Sequence, residues 1–298
     1  MNKGILHGIG AYTLWGFFPI YWKLLHHVPA LELLSHRIVW SYLLMMGIII
    51  ASRGGAEFRK LLNARVIGIY FIAAMLIGGN WGMYVWAVNA GHIVETSLGY
   101  FINPLVSVVL GLVILREKLR PMQWVPILLA LIGVVYLTVT FGRLPWIALT
   151  LAFTFGFYGL VKKLAPLSSL YGLTLETGLL FMPALAFLGV MQVTGDGAFL
   201  HTGISSDLLM VGAGVVTTIP LLLFSSAAKQ IPLTMIGVLQ YFAPTIQFLI
   251  GVFVYDEPFD MTRLFGFGLV WLALIIFGVE SYLAHRTPQA LIPEPGEG

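Results

Sequence analysis

Ten apolar stretches, each of roughly twenty residues and nearly free of charge, leave this chain few ways to fold. They cover residues 4–25, 31–52, 66–89, 93–115, 121–141, 145–164, 171–194, 207–228, 233–255 and 263–284. A bilayer core of about 30 Å takes a helix of about 20 residues. Of the 298 residues, 59% are hydrophobic and 10% charged. Soluble domains carry about 25% charged residues, so too little polar surface exists to clothe a water-soluble globule. The pattern predicts an all-α integral membrane protein with ten transmembrane helices. Turn residues separate the stretches, among them Val28-Pro29, Arg53-Gly54-Gly55, Ala90-Gly91, Gly195-Asp196-Gly197 and Asp256-Glu257-Pro258. Most of these loops are short, which leaves no room for an extramembrane domain.

Lys and Arg set the orientation. With a cytoplasmic N-terminus, twelve of the sixteen fall on inside flanks, and Lys23, Arg37, Arg143 and Arg263 fall outside. Both termini are then cytoplasmic, and the net charge of +3 reflects topology rather than a nucleic-acid partner. Residues 287–298 hold three prolines and two glutamates and predict a disordered cytoplasmic tail. The chain contains no Cys, which excludes disulfides and thiolate chemistry.

Two proline-centred motifs lie 140 positions apart. Ser97, Tyr100, Pro104, Ser107 and Gly111 share one helical face, and Gly237, Gln240, Pro244, Gln247 and Gly251 share another. The same offset carries Trp15-Gly16-Phe17-Phe18 onto Phe155-Gly156-Phe157-Tyr158, Lys23 onto Lys163 and Glu117 onto Glu257. Glu32 matches Glu176 after a four-residue insertion. Each half thus holds five helices, residues 1–141 and 142–286. Five is odd, so the second half enters the membrane inverted, as in many secondary transporters.

These residues carry a family resemblance. The halves close on Leu-Arg-Glu-Lys-Leu (115–119) and Tyr-Asp-Glu-Pro-Phe (255–259), and so look like EamA repeats of the drug/metabolite transporter superfamily. The stretches Gly8 to Gly16, Ser35 to Ser41, Glu95 to Pro104, Leu239 to Thr245 and Gly251 to Tyr255 resemble its RarD branch. The resemblance implies an inner-membrane location and efflux of small metabolites or drugs. It brings no catalytic residues with it.

Differences between the copies mark specialisation. His36, Arg37, His92 and Glu95 face apolar counterparts, at the outer ends of the second and fourth helices. Ionisable groups in membrane helices face partners or a water-filled cavity. The expectation is an outer cluster, with Arg37 paired to Glu95 or Glu32 and His36 able to titrate; it serves either as proton coupling or as a structural clamp. Lys23, Lys163, Glu32 and Glu176 sit near helix ends, where snorkelling explains them. Glu117 and Glu257 are expected to cap the helices that follow them.

The binding site is expected at the midplane. Pro104 and Pro244 each free a carbonyl, at Tyr100 and Gln240, that lipid cannot satisfy. Asn103, Gln247 and Tyr241 lie at the same depth. Asn80, Trp81 and Tyr84 line the third helix, with Trp15 and Pro19 on the first. Their repeat partners Phe155, Tyr158, Pro220 and Phe224 predict an aromatic wall. Such a pocket suits a small amphipathic solute. The alternative is that these polar atoms and small residues serve helix–helix packing. Neither a Gly-rich phosphate loop, a His-Glu-x-x-His metal motif nor a Gly-x-Ser-x-Gly elbow occurs. A secondary exporter without cofactor or metal is therefore favoured over an ATP-driven pump. A channel and an intramembrane enzyme are the alternatives. Proton coupling stays open, and the sequence does not speak to oligomeric state.

Overall fold

The computed structural model describes residues 2–142, 144–256 and 261–286, and among them every regular element is helical. The order is α1 (Lys3–Gly16), α2 (Phe18–Leu24), α3 (Ala30–Ala51), α4 (Gly55–Leu61), α5 (Ala64–Asn89), α6 (Ile93–Val113), α7 (Trp124–Phe141), α8 (Trp146–Leu164), α9 (Ser169–Thr194), α10 (Ile204–Gln230), α11 (Leu233–Gln240), α12 (Phe242–Val254) and α13 (Met261–Arg286). Among the described residues eight spans are long and apolar enough to cross a membrane, with α11 and α12 counted together as Leu233–Val254. The chain is a multi-pass membrane protein. Its outer faces carry side chains such as Ile132, Val139 and Ile275, all more than half exposed, and only lipid tolerates so much uncovered apolar surface. The tail 287–298, Glu257 and Arg143 lie outside the described residues.

Two of the expected helices are broken. The first divides at Phe17, two residues before Pro19, and the ninth divides at Tyr241, three before Pro244. Pro104 behaves differently and sits inside an unbroken α6. A further short helix, α4, occupies what the sequence presents as a loop, because Phe58 buries itself against Tyr171 at 5.4 Å while Glu57, Arg59 and Lys60 stay on the rim.

Helices distant in sequence interlock. Helix α6 packs on α8 and α11, α1 on α10 and α12, α3 on α9 and α10, α5 on α8, and α7 on α13. Glycines permit two of the closest approaches. A Cβ at Gly16 would lie 2.6 Å from the Ile246 side chain, and one at Gly156 would lie 2.7 Å from Val106.

Carboxylates satisfy backbone donors on neighbouring helices rather than on their own. Glu95 accepts from Ile147 N at 2.8 Å, at the start of α8. Glu117 accepts from Leu233 N at 2.7 Å and Thr234 N at 2.9 Å. It caps α11 and not the helix that follows it, because its own N–H is tied back to the Gly111 carbonyl at 3.0 Å. Glu32 accepts from Ala198 N and Phe199 N in the loop ahead of α10. The N-terminal N–H groups of a helix have no partner within it, and a carboxylate there meets both the hydrogen-bonding need and the dipole.

Glu32 and Glu176 do not snorkel, since each is 1% exposed. Glu176 accepts from Lys162 Nζ at 2.6 Å and from Tyr158 Oη at 3.0 Å, in a contact wholly removed from solvent. Removing one partner of a buried ion pair leaves the other uncompensated, at about 3–5 kcal/mol. Lys162→Ala is therefore expected to lower the thermal unfolding midpoint of the detergent-purified protein. Replacing both Lys162 and Glu176 by Met is expected to recover most of the loss.

Candidate binding cavity

The breaks in the first and ninth helices open onto a cavity of about 200 Å³. Three helices contribute to it through residues spaced at i, i+3, i+4 and i+7: Ile77, Asn80, Trp81 and Tyr84 from α5, Thr96, Gly99, Tyr100 and Asn103 from α6, and Gln240, Ala243, Pro244 and Gln247 at the α11–α12 junction. Trp15, Pro19 and Trp22 come from α1 and α2, and Arg37 comes from α3.

Of the residues expected at the site, Trp15, Pro19, Asn80, Trp81, Tyr84, Tyr100, Asn103, Gln240, Pro244 and Gln247 are brought together here. Others are not. Tyr158 and Phe224 are fully buried and stack on each other, with ring centroids 5.8 Å apart. With Tyr12, Trp15 and Phe155 they form a plug of mutually packed rings beneath the cavity, with neighbouring centroids 5.4–6.2 Å apart. Tyr241 is buried, and its hydroxyl donates to the Phe101 carbonyl at 3.2 Å. Pro220 is buried within α10.

The face expected on α6 is rotated. Of Ser97, Tyr100, Pro104, Ser107 and Gly111, Tyr100 reaches the cavity. Pro104 and Ser107 meet α11 instead: Gly237 lies against the Pro104 carbonyl, and Gln240 Nε2 donates to Ser107 Oγ at 3.2 Å. Small residues bring two backbones together as readily as they line a space, and here they serve both ends. Tyr12, Phe18 and Trp22 escaped the sequence reading although their spacing from Trp15 and Pro19 puts them on one stripe of the first helix.

The polar atoms have identifiable tasks. Pro19 lacks the N–H that would bond the Trp15 carbonyl four residues earlier. Gln247 Nε2 donates to that carbonyl at 3.1 Å. Asn80 Nδ2 donates to the Leu151 carbonyl and to Thr154 Oγ1, each at 2.9 Å, and so ties α5 to α8. Asn103 Oδ1 and Gln240 Oε1 are buried without a hydrogen-bond partner.

The expected outer cluster is dispersed. Arg37 lines the cavity, its Nε donating to Thr217 Oγ1 at 3.0 Å. Neither Glu32 nor Glu95 pairs with it; both carboxylates serve backbone N–H groups on other elements. His36 turns away: its Nδ1 accepts from Trp40 at 3.1 Å, its ring lies 4.7 Å from Phe199, and Nε2 sits 3.9 Å from Glu32. Among the described residues no group of His, Asp and Glu is arranged to hold a metal ion.

Comparison with known proteins decides the family. Residues 2–139 match the EamA-like transporter family. The chain is 43% identical to Protein RarD of Streptomyces exfoliatus, covering 97% of this chain and 92% of that protein. This chain belongs to the EamA-like transporter family. Within that family it is 46% identical to the uncharacterized transporter YojE of Bacillus subtilis, over 93% of each chain. It is 41% identical to Protein RarD of Escherichia coli, covering 96% of this chain and 97% of that one. A solved crystal structure superposes with a TM-score of 0.68 at 18% identity, covering 95% of this chain and 99% of that chain, a likeness of fold alone. Family and relatives point to a transporter rather than an enzyme.

The break in the first helix leans on the Gln247 side chain. Gln247→Leu strands the Trp15 carbonyl, and an unsatisfied buried acceptor costs about 1–3 kcal/mol. The expected outcome is a lower unfolding midpoint, while Gln247→Asn, which keeps an amide, loses less.

Proposed function

We propose that the chain is a secondary-active transporter of small solutes, working by alternating access between inverted halves 1–141 and 142–286. One observation carries the reading: the halves correspond in sequence but differ in packing. The offset of 140 takes Phe18 to Tyr158 and Tyr84 to Phe224. Tyr158 and Phe224 are stacked and sealed. Phe18 rests against Trp22, and Tyr84 against Tyr100, and both face the cavity. One aromatic pair is thus closed and its counterpart open. Exchanging the two arrangements would open the protein beneath Trp15 and close it above.

The contacts between halves support the same exchange. The pairs Gly16 with Ile246 and Gly156 with Val106 interchange under the offset. So do α1 with α10 and α8 with α5, and α6 with α8 and α12 with α1. The family match ends at residue 139, beside the proposed boundary. Ten membrane crossings follow if the interrupted first segment and α13 also span. The Lys and Arg bias then puts both termini in the cytoplasm of a bacterial-type inner membrane, with the cavity facing outward in this conformer and Lys162–Glu176 on the cytoplasmic side. Export is the direction favoured. Among the described residues His36 and Arg37 turn to different partners, Trp40 and Thr217, and exchange down a substrate gradient is the reading favoured over proton coupling. A closed floor beneath the cavity weighs against a channel.

Saturable counterflow in proteoliposomes is expected, and Asn103→Ala, Gln240→Ala and Tyr84→Ala should each lower it about tenfold, the worth of one lost contact of about 1.4 kcal/mol. The natural absence of Cys makes paired cysteines direct reporters. Y158C/F224C is expected to cross-link in the resting protein, and F18C/Y84C to do so during solute exchange. Non-saturating flux, or F18C/Y84C that never cross-links, would remove alternating access between these halves.

A further inference from the structure

Among the described residues that line the cavity, Arg37 is a cation and none is an anion. The Arg37 guanidinium carbon lies 4.9 Å from the Trp22 ring centroid and 4.8 Å from that of Trp81. Nε is taken by Thr217. Among the described residues no carboxylate comes within 4.0 Å of it, and the ionisable groups facing it are the phenols of Tyr84 and Tyr100. The acids that the sequence offers as partners are committed elsewhere, Glu32 to the loop before α10 and Glu95 to the start of α8. A guanidinium carries five N–H donors in a planar fork. With Nε used, the two terminal NH2 groups are left to the cavity that the residue lines.

An isolated charge inside a membrane protein is costly, and such residues mark solute pathways. Two indole faces offset part of the cost and also hold the fork in place. What they do not supply is a negative charge with two oxygens. A guanidinium fork matches a planar carboxylate in bidentate fashion, which an ammonium does not. Elsewhere in the same cavity Asn103 Oδ1 is an acceptor in want of a donor, and Gln240 Oε1 is unbonded with the Tyr12 hydroxyl close to its side chain. The lining thus offers positive donors on α3 and open acceptors at the α6–α11 contact.

We infer that the solute of this cavity is a small organic carboxylate whose anionic group docks on the Arg37 fork and whose body lies among the indoles of Trp15, Trp22 and Trp81. N–H or O–H groups on that body reach Asn103 and Gln240. The inference rests on the transport reading of the same cavity and adds the chemical class of the solute.

Thermal unfolding of the purified protein with three carboxylates and their neutral amides tests it. The pairs are benzoate with benzamide, phenylacetate with phenylacetamide, and indole-3-acetate with its amide, at neutral pH. At least one carboxylate should raise the midpoint at a concentration about tenfold lower than its amide requires. Arg37→Gln should erase that difference, and Arg37→Lys, which keeps the charge but not the fork, should keep the preference at weaker affinity. If the wild-type protein favours no carboxylate over its amide, or if Arg37→Gln retains the preference, the inference is overturned. Counterflow separates the two layers. Carboxylates that bind through Arg37 but never exchange would overturn transport and leave the anion site standing. Neutral solutes that exchange while carboxylates neither bind nor exchange would do the reverse.

Discussion

Lipid gives a backbone amide nothing to bond to, and much of the polar chemistry in this protein answers that fact. Pro19 breaks the first helix and exposes the Trp15 carbonyl; Gln247, from the other half of the chain, reaches across to satisfy it. Helix starts lack partners for their N–H groups, and Glu95 and Glu117 arrive from elsewhere to accept them. Helix ends lack partners for their carbonyls, and Lys163 donates to Ile231 at 2.7 Å while Lys229 donates to Ala165 at 2.8 Å. Each of these bonds joins helices that are distant in sequence. Satisfying the backbone therefore also assembles the bundle.

That economy explains which parts of the fold could be read in advance. Segment positions follow from apolar length, and the structure has a helix in each of the ten. Breaks were harder. Pro104 and Pro244 lie 140 positions apart in matching sequence motifs, yet α6 runs through one while α11 and α12 part before the other. Local sequence marks where a helix can bend, and the packing around it decides whether it does. Charges near helix ends were the least legible. Glu176 by position alone could snorkel, and what buries it is Lys162 on α8, a partner that no spacing rule within α9 reveals.

The cavity was legible to the extent that its residues share a helical stripe. Asn80, Trp81 and Tyr84 on α5, and Gln240, Pro244 and Gln247 at the α11–α12 junction, fall where periodicity puts them. On α6 the small-residue face was ambiguous, since Ser107 and Gly111 suit a cavity and a tight helix contact equally well; contact with α11 won. Tyr158 and Phe224 lie off the cavity for another reason: the offset that matches them to Phe18 and Tyr84 speaks of sequence alone, and packing seals the two rings against each other.

Trp15 and Phe155, 5.9 Å apart, are each other's counterpart under the offset of 140. On the proposed exchange this pair maps onto itself, so it stabilises both conformers to the same degree. A residue on such an axis can raise or lower the barrier between the states without choosing between them. Residues off the axis are counted in one state and not in the other, and they alone set how the population divides. On that proposal the plug would be built of two functionally different materials: Trp15 and Phe155 would govern how fast the protein turns over, and Tyr158 with Phe224 where it waits.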